Sequence, residues 1–236
     1  DPSTGIWSQQ QKLVASAREE NALFGSMVDI DGNFAVIGAP EQTLDANGVN
    51  PLTDAGAVYL FERSGATWSE IHHFTPADRD SLDYFGHAVD LSGTDLIVGA
   101  YGNDQDQGAA YVYQYDGSNW NFTQRLTAGT GEQDWFGRGV AIDGDWLVVG
   151  ALINDKDADG ENYIFESGAV YLFQREGGLW SLYQKVTPSD RATTNNSYGY
   201  HVGLSGNRVV VGAYSQFGPE GRGGRGYFIE YPTPDW

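Results

Sequence analysis

The chain has 236 residues, with 13 lysines and arginines against 32 aspartates and glutamates, a net charge of −19. A field of that sign repels phosphate backbones and anionic lipid surfaces, which excludes nucleic acid as a partner class and suits cation binding or solubility in a salty medium. No cysteine is present, so disulfides and thiolate sites are excluded; no apolar run approaches the roughly 20 residues of a membrane helix, so membrane insertion is not expected.

Hydrophobic residues make up 40% and aromatics 14%, yet 32 glycines punctuate the chain too often for long helices, which points to an all-β protein. The first expected element is a strand led by Trp7, WSQQQKLVAS, within residues 6–16. A first unit, residues 23–78, then runs LFGSMVDIDGNFAVIGAP from Leu23, an acidic loop, GAVYLF from Gly56 and WSEIHHFTPAD from Trp68. The second, residues 84–129, repeats this as YFGHAVDLSGTDLIVGAY from Tyr84, GAAYVY from Gly108 and WNFTQRLTAG from Trp120. The third, residues 135–190, reads WFGRGVAIDGDWLVVGAL from Trp135, GAVYLF from Gly168 and WSLYQKVTPSD from Trp180. The fourth, residues 197–231, has SYGYHVGLSGNRVVVGAY from Ser197 and GYFIEY from Gly226 but no following Trp strand; residues 232–236 form a tail.

Apolar residues alternate within each unit, as at Val89, Leu91, Leu96 and Val98, which is the period of strands. Asp31-Gly32, Ser92-Gly93, Asp143-Gly144 and Ser205-Gly206 mark tight hairpin turns, where glycine supplies positive φ. Each unit is therefore expected to be a four-stranded antiparallel meander, strands a to d. Such meanders bury both faces by packing radially, so the predicted fold is one β-propeller domain of four-stranded antiparallel blades, four repeats per chain. The glycines of the FG and GA pairs fit the crowded inner ends of blades. Residues 6–16 are expected to close the ring as strand d of the last blade, giving a monomer; a strand-exchanged dimer is the alternative.

The repeated string FG, VDIDG or VDLSG, VIGAP or IVGAY, then GAVYLF resembles the FG-GAP repeat family, the blade motif of the integrin α-subunit propeller and of many secreted bacterial proteins. The resemblance implies a secreted or cell-surface propeller used for adhesion or recognition of an extracellular protein or glycan. The calcium loop of integrin-like blades is not carried over, because the a–b turn has shrunk here to DIDGN, DLSGT, AIDGD and GLSGN.

The third unit's b–c loop satisfies a twelve-residue calcium pattern. Asp155, Asp157 and Asp159 would be the first ligands, Glu161 would offer its backbone carbonyl and Glu166 would bind bidentately. The other reading is a solvated acidic loop. Asp45, Asn47 and Asp54 in the first unit, and Asn103, Asp104 and Asp106 in the second, are weaker echoes. Long polar b–c and d–a segments share one face, the expected binding surface. Tyr84, Tyr101 and Trp135 near its rim are candidates to stack on a sugar ring or a partner side chain, against a packing role beneath the loops. None of His72, His73, His87 and His201 lies in a catalytic motif, although His87 and His201 are expected at the channel together. A non-enzymatic binding or adhesion module is the leading reading; an assembly module forming dimers or polymers and a polysaccharide- or ester-acting hydrolase are the alternatives.

Overall fold

The computed structural model describes residues 5–190, 197–214, 217–218 and 221–231, with backbone alone for 217–218 and 221–222; the expected tail lies outside them. The repeat builds repeated sheets. Strands β1 (Val28–Asp31), β2 (Phe34–Ala39), β3 (Ala57–Ser64) and β4 (Thr67–Phe74) pair in chain order as an antiparallel meander. So do β5 (Ala88–Ser92), β6 (Asp95–Ala100), β7 (Ala109–Tyr115) and β8 (Trp120–Leu126). The third sheet is β9 (Phe136–Asp143), β10 (Trp146–Ala151), β11 (Ala169–Glu176) and β12 (Leu179–Val186). The fourth holds β13 (Tyr198–Ser205), β14 (Arg208–Ala213) and β17 (Arg225–Glu230), with a small hairpin of β15 (Phe217–Gly218) and β16 (Gly221–Arg222) between the last two. The chain is all-β and propeller-like; among the described residues one helical turn occurs, Asn103–Asp106, and Asp104 and Gln105 within it are left-handed.

The expected hairpins form where glycine follows Asp or Ser: Asp31 pairs with Phe34 and Ser92 with Asp95, leaving two-residue turns. Strands c and d carry a bulge at one repeated place, Leu60/Phe61, Val112/Tyr113 and Leu172/Phe173. Bulges increase local twist, so each sheet twists alike and stacks on the next.

The core lies between sheets. Val36 and Leu60 of the first blade pack with Phe85, Leu91 and Leu96 of the second, and Ile97 and Val112 of the second pack with Phe136, Leu147 and Tyr171 of the third. At the inner ends the sheets touch through backbone: Gly56, Gly108 and Gly168 form parallel bridges to Phe85, Phe136 and Tyr198 of the following blade. A Cβ on Gly38, Gly99 or Gly150 would overlap the carbonyl oxygen of Gly86, Gly137 or Gly199. The crowding expected of the FG and GA pairs is thus direct contact of main chains.

Two expectations need correction. The closing run of the fourth unit is displaced by two residues: Tyr227 pairs with Val211 as Tyr59 pairs with Ile37, so Gly224, not Gly226, stands where Gly56 does. Among the described residues the N-terminal segment, expected as a strand, also does not pair into the last blade, whose sheet there has three strands. Residues 5–17 run instead beside β4. Gln11 bonds the Trp68 main chain in both directions (2.8 and 2.9 Å), and the Ser16 amide donates to Glu70 (2.8 Å). Leu13 and Ala15 pack into the first blade's cluster. Held there, the segment gives β17 no pairing. Trp7 is 100% exposed, whereas Trp120 and Trp180 are each 5% exposed.

Gly99→Ala should lower unfolding free energy by about 1–3 kcal/mol, the usual range for overpacking, whereas Gly223→Ala, where a Cβ meets open space and the backbone has no positive φ, should change it by no more than about 0.5 kcal/mol. Urea denaturation of both variants measures the difference.

Candidate functional site

Three columns of the repeat meet where the loop face opens onto the channel between the a strands. The residue before each FG or YG pair is Leu23, Tyr84, Trp135 or Ser197, and all four are left-handed, with φ from 51° to 54°. A non-glycine residue holds such backbone at about 1–3 kcal/mol. Main-chain bonds fix it here: the amides of Tyr84 and Trp135 donate to the carbonyls of Asp54 and Asp106, each at 3.0 Å. The residue after the pair is Ser26, His87, Arg138 or Tyr200, and the residue after each GA is Pro40, Tyr101, Leu152 or Tyr214.

The three aromatic residues selected from sequence come together. Tyr84 stacks on Tyr101 with ring centres 4.9 Å apart and planes 6° from parallel, and Tyr101 meets Trp135 at 5.3 Å. All three are half-buried. The Arg138 guanidinium lies 4.1 Å from the ring centre of Tyr200 and 5.4 Å from that of Tyr101; Tyr200 packs at 4.5 Å on the exposed Tyr214. Arg138 also donates to Nε2 of His87. Burial, then the Arg138 charge, pushes His87 down to about 4, so a neutral ring accepts that bond. Burial lifts the Tyr101 hydroxyl to about 12. Sequence reading missed Arg138, Tyr200 and Tyr214, although they occupy the same columns as His87 and Tyr101. It placed His87 and His201 together at the channel; His87 feels the His201 charge, while the group bonded to it is Arg138, and His201 sits edge-on to Tyr200 at 4.6 Å.

Below this mouth, Asp29 and Asp90 line a channel cavity of about 150 Å³. Asp90 shares a hydrogen bond with Asp29, and burial, together with the Asp29 charge, holds its carboxyl well above the usual range. Such a pair is the arrangement a carboxylate-based hydrolase would use. Each carboxylate, however, already accepts a main-chain amide of the next blade, Leu91 on Asp29 (2.8 Å) and Ile142 on Asp90 (2.7 Å). The inner edge of each a strand would otherwise be left unpaired, so these acids serve the fold.

The FG-GAP repeat signature matches residues 7–61, 68–113, 120–173 and 180–227. The chain belongs to the FG-GAP repeat family. No curated protein sequence matches it. FG-GAP repeats form β-propeller modules typical of binding and adhesion, generally without enzymatic activity, and are typical of extracellular and cell-surface proteins. Among the described residues no helix is long and apolar enough to cross a membrane.

Against the family repeat, the acidic loop of the third blade takes on a second reading. Glu166 is left-handed (φ 48°) two residues before Gly168, as Asp54 (φ 50°) and Asp106 (φ 71°) are before Gly56 and Gly108, so its position is a turn position of the repeat. Asp155 accepts the Glu166 amide (2.5 Å), and Asp157 accepts the Glu161 amide (2.9 Å) and the Asn162 side chain. Asp159 and Glu161 are exposed. No three acidic or histidine side chains gather at metal-binding distance among the described residues, so in this conformation the five candidates are not brought around one point. In the first blade Asp45 accepts the amides of Asn47 and Val49 (2.9 and 3.0 Å), and in the second Asp104 pairs with Arg125.

A site that no motif announced lies between the first two blades. Phe74, Tyr111, Tyr113 and Phe122 line a cavity of about 540 Å³, with Asp78 and Arg125 on its wall. The Tyr111 hydroxyl donates to Asp78 (3.1 Å), as the Tyr227 hydroxyl does to Asp190 (2.7 Å) in the fourth blade, so this polar wall is also a repeated device that ties two of the d–a linkers to the next sheet.

Because Asp90 is lifted in the folded state, the fold binds a proton that the unfolded chain releases at lower pH. Its contribution is full below the ordinary carboxylate range and is lost as pH rises through the raised value. Asp90→Asn should therefore flatten the fall in melting temperature between about pH 4 and about pH 8 and be the more stable form at the upper end, as thermal melts across that range will show.

Proposed function

We propose that this FG-GAP module works outside the cell as a non-enzymatic binding domain, and that its loop face takes a glycan on the platform of Tyr84, Tyr101 and Trp135. The observation that carries the proposal is the contiguity of these rings, 4.9 and 5.3 Å apart, contributed by neighbouring blades at the channel mouth. Aromatic faces stack on the C–H face of a pyranose, and half-buried rings on a rigid scaffold lose little freedom on binding. Arg138, with no carboxylate partner among the described residues, adds a donor beside them. The family's general use in protein recognition supports a protein ligand as the second reading, on the same face.

A glycan array probed with the labelled chain should retain it on a restricted set of sugars. Tyr101→Ala should weaken that binding about tenfold or more, as loss of a central aromatic anchor does, while Phe122→Ala, in the outer cavity, leaves it unchanged. Retention on no glycan but on an extracellular protein, with the same sensitivity to Tyr101→Ala, would replace the ligand class. Turnover of a retained sugar would reinstate the hydrolase.

Calcium belongs to the proposal through the spacing of Asp155, Asp157, Asp159, Glu161 and Glu166 alone. An ion there would draw on lone pairs of Asp155 and Asp157 beside those that already accept loop amides. The expected sign of such a site is a melting temperature that rises with calcium and ceases to respond in Asp157→Ala; no response in the parent chain removes calcium from the reading.

A further inference from the structure

The column of residues after each FG or YG pair, Ser26, His87, Arg138 and Tyr200, holds a cation without a counter-ion. Arg125, Lys156, Arg175, Arg208 and Arg225 each pair with an aspartate or glutamate. Half-buried Arg138 pairs with none among the described residues, although acids outnumber bases 32 to 13 in the chain. Aromatic faces take the place of a counter-ion: its guanidinium lies 4.1 Å from the ring centre of Tyr200 and 5.4 Å from that of Tyr101. Such stacking occupies the faces of the guanidinium and leaves its edge, where the N–H donors lie, for a ligand.

That edge is only partly used. Nη1 of Arg138 donates to Nε2 of His87, which fixes how the guanidinium is turned. Its Nε and Nη2 have no protein partner among the described residues, and neither is sealed from solvent as the unpartnered Nε of Arg79 is. These two donors lie on one side of the guanidinium and form the fork that takes a carboxylate bidentately. Charge is also graded across the mouth. Burial, then the charges of Asp54, Glu41 and Asp106, raises the Tyr84 hydroxyl. Those acids repel an anion beside Tyr84, whereas Arg138 attracts one on the Tyr101 side. A ligand lying across the rings is thereby oriented, with a neutral part at Tyr84 and an acidic part at Arg138.

We infer that the glycan taken by this face carries a single carboxylate, as a uronic or sialic acid sugar does, and that the Arg138 fork, held by His87 and Tyr200, selects it. The inference rests on the glycan reading of the aromatic platform and narrows it to an acidic sugar. No carboxylate of the described chain fills the fork, so the ligand supplies one. The net charge of −19 acts on the whole ligand, so each further acidic group adds repulsion while the fork accommodates only one. A sugar with one acid is favoured on both counts over a polysulfated chain.

Calorimetric titration with methyl glucuronide and with sialyllactose, each against the same sugar with its carboxylate converted to the amide, isolates the charge. The acid should bind about tenfold or more tighter than its amide, the size of a charge-assisted hydrogen bond. Arg138→Gln should bring the acid down to the affinity of its amide, and Arg138→Lys, a charge without the fork, should restore part of the preference; both variants should keep the circular dichroism of the parent chain. Equal binding of acid and amide, each lost in Tyr101→Ala, overturns the inference and leaves the glycan reading standing, as does retention of neutral glycans alone on the array. A preference for the acid that survives in Arg138→Gln overturns it too, and so does tighter binding of heparin than of either acid. Binding of none of these sugars, with a blank array, removes the reading and the inference together.

Discussion

Adjacent sheets in this protein touch by their main chains, and almost everything else follows from that contact. Two β-sheets normally stand about 10 Å apart, separated by a layer of side chains. Around Gly38, Gly99 and Gly150 that layer is absent, and the carbonyl of the next blade occupies the place of a Cβ. The sheets therefore converge at their inner ends and open outward, where Phe85, Phe136, Trp120 and Trp180 fill the widening space. A wedge repeated blade after blade generates the curved row of sheets, the channel at its centre and a loop face on which neighbouring blades can share a binding surface.

Close approach creates a polar debt that the acidic residues settle. The inner strand of each blade has one edge without a sheet neighbour, and Asp29, Asp31, Asp90 and Asp143 accept amides from that edge on the following blade. Asp83 and Asp134, almost fully buried, are bonded by Asn103 (3.0 Å) and Asn154 (2.7 Å) of the b–c loops. Part of the chain's acidity is thus structural, placed where main-chain donors need an acceptor. That division matters for function, because it removes the most suggestive carboxylate pair from the catalytic candidates and leaves the aromatic mouth as the site without a structural duty of comparable weight.

The sheets, their order, the hairpins and the role of the glycine pairs were legible because each appears four times, and in-register repetition separates signal from chance. Tyr84, Tyr101 and Trp135 could be placed on one rim by the same alignment. Arg138 and Tyr200 could have been, had the residue after FG been followed as a column; attention to histidine as a chemical type led instead to His201. The fate of the N-terminal segment was not legible, since the repeat places residues 6–16 in the column of the d strands but does not say which flank holds them. Gln11 settles that by bonding to Trp68, as Gln124 bonds to Trp180. The acidic loop carries two readings at once: Glu166 completes a metal pattern at a position that the repeat also gives to a left-handed turn residue.

Main-chain contact between sheets can be observed in solution. Nuclear Overhauser contacts between the α protons of Gly38 and Gly86, Gly99 and Gly137, and Gly150 and Gly199 report it most directly. Strong contacts in all three pairs are the result this account predicts. Their absence, with each glycine contacting instead the side chains of an intervening apolar layer, would contradict it.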